Sequence, residues 1–122
     1  KGALLPMTTS LYEAGINIWG SVTNDGAEYG INRMVVSDPD KAKEVLTERG
    51  YLCRFVDVLA VEIEDKPGAL NTLLTALLDS NVNVDYTYLS FNRDSSTPVM
   101  ILHTADPEEV EICLKAKGFK MV

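Results

Sequence analysis

The sequence predicts an α+β protein made of two tandem ferredoxin-like units, each a βαββαβ arrangement with an antiparallel sheet. Three observations carry this. The first is internal duplication: Lys1-Gly2-Ala3-Leu4 and residues 11–18 (LYEAGINI) return as Pro67-Gly68-Ala69-Leu70 and residues 77–84 (LLDSNVNV), with Gly2 and Gly68 66 positions apart. Asp38-Pro39 and Gly50-Tyr51 return as Asp106-Pro107 and Gly118-Phe119, now 68 positions apart, so two extra residues lie in the second copy between Val84 and Asp106. Two copies do not make a solenoid; they make a pair of small domains with a junction. The second observation is the order of hydrophobic periods in the second copy, strand then helix then two strands, helix and strand. The third is an ordinary globular composition, 46% hydrophobic and 24% charged over 122 residues, in which each half alone is marginal and shares an interface with the other. The expected units are 1–56 and 57–122.

In the second unit, residues 58–64 alternate, with Leu59, Val61 and Ile63 on one face and Glu62 and Glu64 on the other, the period of a half-buried strand. Asp65-Lys66 turns the chain, and Pro67 stands where a helix starts without losing a needed N–H. Leu70, Leu73, Leu74, Leu77 and Leu78 follow at spacings of three and four, which predicts a continuous apolar helical stripe packed on the sheet. Asn81 and Asn83 punctuate the exit. Residues 82–91 are rich in β-branched and aromatic side chains and read as a strand, 92–98 as a turn, and 99–104 as the returning strand of a hairpin. Asp106-Pro107-Glu108-Glu109 is an acidic helix opening. Val110, Cys113 and Leu114 form its buried side, Gly118 ends it, and 119–122 form a short last strand.

The first unit reads the same way from its helix onward. Leu4, Met7, Leu11 and Ala14 give the stripe, Gly15 the stop, 16–23 a strand and Asn24-Asp25-Gly26 a turn; 31–36 returns, 41–48 is the second helix and 51–56 the closing strand. The repeat calls for a further strand ahead of Lys1, equivalent to 58–64 and central in a ferredoxin-like sheet. The expectation is therefore a natural protein extended N-terminally by about one strand, on the order of 8 to 12 residues.

The formal charge of −7 opposes a phosphate-backbone binder, whose affinity comes from clustered Lys and Arg. No apolar run approaches the roughly 20 residues of a membrane span, and the start lacks a secretory apolar core; a soluble, cytoplasmic protein without nucleic-acid or membrane partners is expected. Cys53 and Cys113 stand far apart in apolar contexts and read as reduced, buried structural thiols. His103, the single histidine, lies in a strand and reads as partly buried and structural. Trp19, Tyr86 and Tyr88 fall in the second strands of their units and read as sheet or core. Without a second histidine, a Cys pair or a recurring carboxylate dyad, no nucleophilic triad, metal site or cofactor site can be assembled.

At this point the residues resemble a known family. Asp65-Lys66-Pro67-Gly68-Ala69-Leu70, a leucine-striped helix and Asn81-Val82-Asn83-Val84 are similar to the signature of ACT domains, small regulatory modules that bind amino acids. Lys1-Gly2-Ala3-Leu4 with Glu13-Ala14-Gly15-Ile16-Asn17-Ile18 is similar again, so the resemblance covers nearly the whole chain in two copies. It implies two ACT units packed side by side with a shared sheet of about eight strands, a ligand cleft where one unit's first loop meets its neighbour, and a homodimer. It also implies ligand-binding roles for Asp65, Lys66, Pro67, Gly68, Ala69, Leu70, Asn83 and Val84, and for Gly2, Ala3, Leu4 and Asn17. In the first copy Gly2 lacks the proline found at Pro67.

The chemistry of such a site follows from the ligand. A free amino acid needs donors for its carboxylate and acceptors for its ammonium. A Pro-Gly-Ala turn opening a helix offers unpaired N–H groups at the positive end of the dipole, while Asp65, Asn81 and Asn83 offer acceptor oxygens. Taken singly, Pro-Gly is a helix start and Asn a cap; their recurrence in both copies supports the binding reading. The expected function is a non-catalytic amino-acid-binding regulator, able to act on an enzyme in trans, and the alternative is a structural or protein-interaction module with a vestigial cleft.

Overall fold

The computed structural model describes residues 4–25 and 30–122. The chain divides into two compact units, Lys1–Val56 and Asp57–Val122. The first holds helix α1 (Leu4–Glu13), strands β1 (Ile18–Asp25) and β2 (Gly30–Val36), and helix α2 (Pro39–Glu48). The second holds strand β3 (Leu59–Glu62), helix α3 (Ala69–Asp79), strands β4 (Val84–Phe91) and β5 (Pro98–Thr104), helix α4 (Pro107–Ala116) and strand β6 (Lys120–Met121).

Unit two is a four-stranded antiparallel sheet in the order β4-β5-β3-β6. Strand β3 is central, with Leu59 opposite Leu102 on one side and Val61 opposite Met121 on the other. Leu59, Val61, Met100 and Leu102 form one face of the sheet and pack with Leu73 and Leu77 of α3 and Val110 and Leu114 of α4. That core follows from period-two strands meeting period-3.6 helices. Asp106 and Pro107 begin α4 as expected; Cys113 is only half-buried.

Unit one repeats this packing position by position. Met7 and Leu11 of α1 stand where Leu73 and Leu77 stand in α3, and Ala42 and Leu46 of α2 where Val110 and Leu114 stand in α4. The helix exits repeat as well. Gly15 at φ 75° and Asn81 at φ 57° take the left-handed conformation after α1 and α3, with Ile16 N–H donating to Leu11 O and Val82 N–H to Leu77 O, both at 3.0 Å. Asn81 is therefore a helix terminator, one of the few side chains that tolerate this conformation. The repeat extends to an irregularity: the pairing register shifts at Trp19 in β1 and at the equivalent Asp85 in β4.

Three expectations need correction. Residues 51–56 are not a strand. Tyr51 and Cys53 pack inward in the places of Phe119 and Met121, but among the described residues unit one has only the β1-β2 sheet, so the segment finds no ladder partner. The five leucines of α3 are not all packed. Leu73 and Leu77 are buried, whereas Leu70, Leu74 and Leu78 are 40%, 43% and 77% exposed, because the i, i+4, i+8 row lies round the helix from the row that meets the sheet. Finally, Asn24 and Asp25 belong to β1 rather than to a turn; Gly26 lies outside the described residues.

Candidate functional site

The loop from β3 into α3 is exposed from Asp65 to Gly68. Its shape comes from three local bonds. Lys66 N–H donates to Glu64 O at 3.0 Å, Ala69 N–H to Lys66 O at 3.2 Å, and Thr72 N–H to Gly68 O at 2.9 Å. Pro67 lies one residue ahead of the cap and not in the first helical turn, since Gly68 is the N-cap, in the left-handed conformation at φ 85°. That backbone suits a glycine, which lacks the Cβ penalty of this region. The consequence is electrostatic: a glycine cap supplies no side-chain acceptor, and the N–H groups of Leu70 and Asn71 have no protein partner among the described residues. By contrast, the Asp38 carboxylate caps α2 by accepting from Lys41 N–H at 3.2 Å. The α3 opening thus presents free donors and the positive end of the helix dipole to solvent. Lys66 lies beside it, paired with Glu64 at 2.7 Å.

Asn83 and Val84 lie elsewhere. Asn83 is exposed and follows the C-terminal end of α3, where Val84 pairs with Thr104 at the start of β4. The eleven residues of α3 separate the two clusters by about 16 Å of helix axis. Within unit two, the structure does not bring Asp65, Lys66, Pro67, Gly68, Ala69 and Leu70 together with Asn83.

In unit one, Gly2 and Ala3 lie outside the described residues, and Leu4 opens α1 on the surface. Asn17 is fixed by a reciprocal pair: its N–H donates to Ser37 Oγ and its carbonyl accepts from Ser37 N–H, each at 2.9 Å. The Asn17 side chain borders an open groove of about 420 Å³ lined by Leu5, Thr8, Thr9, Tyr12, Ile16 and Ile18. Of these residues, the sequence reading anticipated only Asn17. The signal was available: Leu5, Thr8, Thr9 and Tyr12 recur at i, i+3, i+4 and i+7, a second helical stripe beside the buried one.

His103 is partly buried, as expected. Its Nδ1 lies 2.9 Å from Asp85 Oδ2, and the Tyr86 ring stacks on it at 4.8 Å and 2°. The register shift at Asp85 aims that carboxylate across the strands, as bulges do. Cys53 and Cys113 are free thiols, and Cys113 donates to Ser80 Oγ at 2.9 Å. Among the described residues no cluster of His, Cys, Asp and Glu could hold a metal ion, and no helix is long and apolar enough to cross a membrane.

No curated protein matches the sequence. A crystal structure of a protein from Bacteroides thetaiotaomicron superposes with a TM-score of 0.87 at 27% identity, over 100% of this chain and 83% of that one. A crystal structure of aspartate kinase from Synechocystis gives a TM-score of 0.43 at 19% identity, over 99% of this chain and 25% of that one. The family model described as the ACT domain pair matches residues 1–121. Two units with the same core positions, the same helix exits and the same register shift are what a duplicated domain leaves behind, and the chain belongs to the ACT domain pair family.

Proposed function

We propose that this protein is a non-catalytic regulator that binds an amino acid and passes the binding event to an enzyme in trans. The observation that carries the proposal is the opening of α3, where Gly68 leaves the N–H groups of Leu70 and Asn71 without a protein partner among the described residues. Membership of the ACT domain pair family supplies the class of ligand. The ligand carboxylate sits on those N–H groups, and its ammonium is taken by acceptors outside unit two's own helix exit, since Asn83 is a helix length away. Asp65, Lys66, Pro67, Ala69 and Leu70 frame this contact; Asn83 and Val84, with Gly2, Ala3, Leu4 and Asn17, are the further residues to which the family resemblance gives a ligand-binding role. Two copies of the chain associate in this reading. Regulation then requires that the ligand favour one arrangement of the protein over another.

Isothermal titration calorimetry with each of the twenty amino acids tests the proposal. A saturable heat with one of them, lost in Gly68→Pro and retained in Leu52→Ser, is expected. Silence from all twenty into the millimolar range would overturn it.

A further inference from the structure

The two units share a core but differ where the strand after the first helix begins. With repeat offsets of 66 and then 68 positions, Trp19, Val35, Val36 and Ser37 of unit one correspond to Asp85, His103, Thr104 and Ala105 of unit two. Three of these exchanges replace an apolar side chain by a polar one, and the fourth removes a hydroxyl. The removed hydroxyl changes the main chain most. In unit one Ser37 closes the position: its Oγ accepts from Asn17 N–H and its N–H donates to Asn17 O, each at 2.9 Å. Ala105 has no oxygen with which to accept, and the backbone bond between Ser37 and Asn17 has no counterpart between Ala105 and Asn83. Among the described residues, neither the N–H nor the carbonyl of the exposed Asn83 has a protein partner. One repeat satisfies its main chain internally here, and the other leaves it to solvent.

The exchanged side chains put a fixed carboxylate beside that opening. Asp85 stands on the same bulge as Trp19. His103 Nδ1 holds one of its oxygens, Oδ2, at 2.9 Å, and the Tyr86 ring stacked on the imidazole keeps the pair in place. The Asp85 side chain is 46% exposed, and its Oδ1 has no protein partner among the described residues.

A free carbonyl and a free carboxylate oxygen are what an ammonium needs. Asn83 and Asp85 are two residues apart, about 7 Å along a strand, a span that one ammonium bridges with two hydrogen bonds of about 2.9 Å, the one to the carboxylate charge-assisted. We infer that the start of β4 is the ammonium end of the amino-acid site, with Asp85 as its anionic residue, and that the matching place in unit one takes no ligand. The chain then binds one amino acid, although it carries two repeats. This rests on amino-acid binding as proposed above. Because α3 keeps this end apart from Gly68 of the same unit, the ligand's carboxylate lies on the Gly68 opening of the second copy in that reading.

Calorimetry tests it. Each of the twenty amino acids is titrated into the full chain, and the responding one into variants. The expected result is one ligand per chain, with affinity at least about tenfold (1.4 kcal/mol) weaker in Asp85→Asn and in Ala105→Ser, which gives Asn83 the hydroxyl that closes Asn17. Slowed hydrogen exchange at the Asn83 amide reports that hydroxyl in place, and far-UV circular dichroism reports that each variant is folded. Ser37→Ala is expected to change neither stoichiometry nor affinity. The matching α-hydroxy acid, which has no ammonium, is expected to bind wild-type and Asp85→Asn protein alike. Two ligands per chain, full affinity in Asp85→Asn, full affinity in Ala105→Ser with its Asn83 amide slowed, or a hydroxy acid that distinguishes Asp85→Asn from wild type would overturn this inference and leave amino-acid binding standing. Silence from all twenty would overturn both.

Discussion

Leu73 and Leu78 lie on the same helix, have the same side chain and belong to what the sequence presents as one stripe, yet the structure gives them opposite environments. Leu73 is fully enclosed among the sheet and helix residues of the unit-two core, whereas Leu78 is mostly in water. Truncating Leu73 to alanine removes three buried carbons at about 0.8 kcal/mol each and leaves a cavity that a two-layer unit fills only partly, for a total loss of about 3 kcal/mol, inside the measured range for such changes. Truncating Leu78 removes carbons that are already hydrated and costs no more than about 0.5 kcal/mol, the scale of ordinary surface substitutions. Urea titration of both variants by far-UV circular dichroism reads the difference. Trp19 fluorescence is unsuitable because the single tryptophan lies on β1, in the other unit. A midpoint drop in Leu73→Ala with none in Leu78→Ala is expected. Equal losses would refute the packing described for α3.

Hydrogen exchange of this chain should separate the last segment of unit one from the core of unit two: the amides of residues 52–56, which have no ladder partner among the described residues, exchange fast, and those of Met100 and Leu102, bonded between β4 and β3, exchange slowly. Gly68→Ala should destabilise by about 1 to 2 kcal/mol, since no atom crowds the new Cβ and the cost is that of the left-handed backbone alone; thermal unfolding checks it. Asp38→Ala should cost about 1 kcal/mol through the lost cap on Lys41 N–H, read in the same way. The Glu109 carboxyl is raised above 4.5 by its hydrogen bond to Asp106 and then by the Asp106 charge. Because the folded state holds that proton more tightly than the unfolded chain, the pair's stabilising contribution is present below 4.5 and is lost as pH rises through the raised value. Carbon-detected titration should find the Glu109 midpoint above 4.5 and see it fall in Asp106→Asn.

Much of the fold was legible because its signals are local. Helix stripes, the glycine and asparagine terminators at 15 and 81, and the Asp-Pro openings at 38 and 106 act through the backbone of a few neighbouring residues, and duplication let each be read twice. The candidate site was legible in part. Gly68 announced an exposed helix start, but the expected partnership of that loop with Asn83 ignored the length of the helix between them. The groove beside Asn17 went unread because its stripe of Leu5, Thr8, Thr9 and Tyr12 runs beside the buried one and holds no charged side chain.

Sequence alone determined that there are two like units, where each helix stops, and which face of β3 is apolar. Only the tertiary structure decided that three of the five leucines of α3 face water and that Asp85 reaches His103. The physical reason is the range of the forces involved. Backbone propensity and capping are settled within one turn of chain, whereas a ladder needs a partner strand and burial needs a neighbour, and both are supplied by residues distant in sequence.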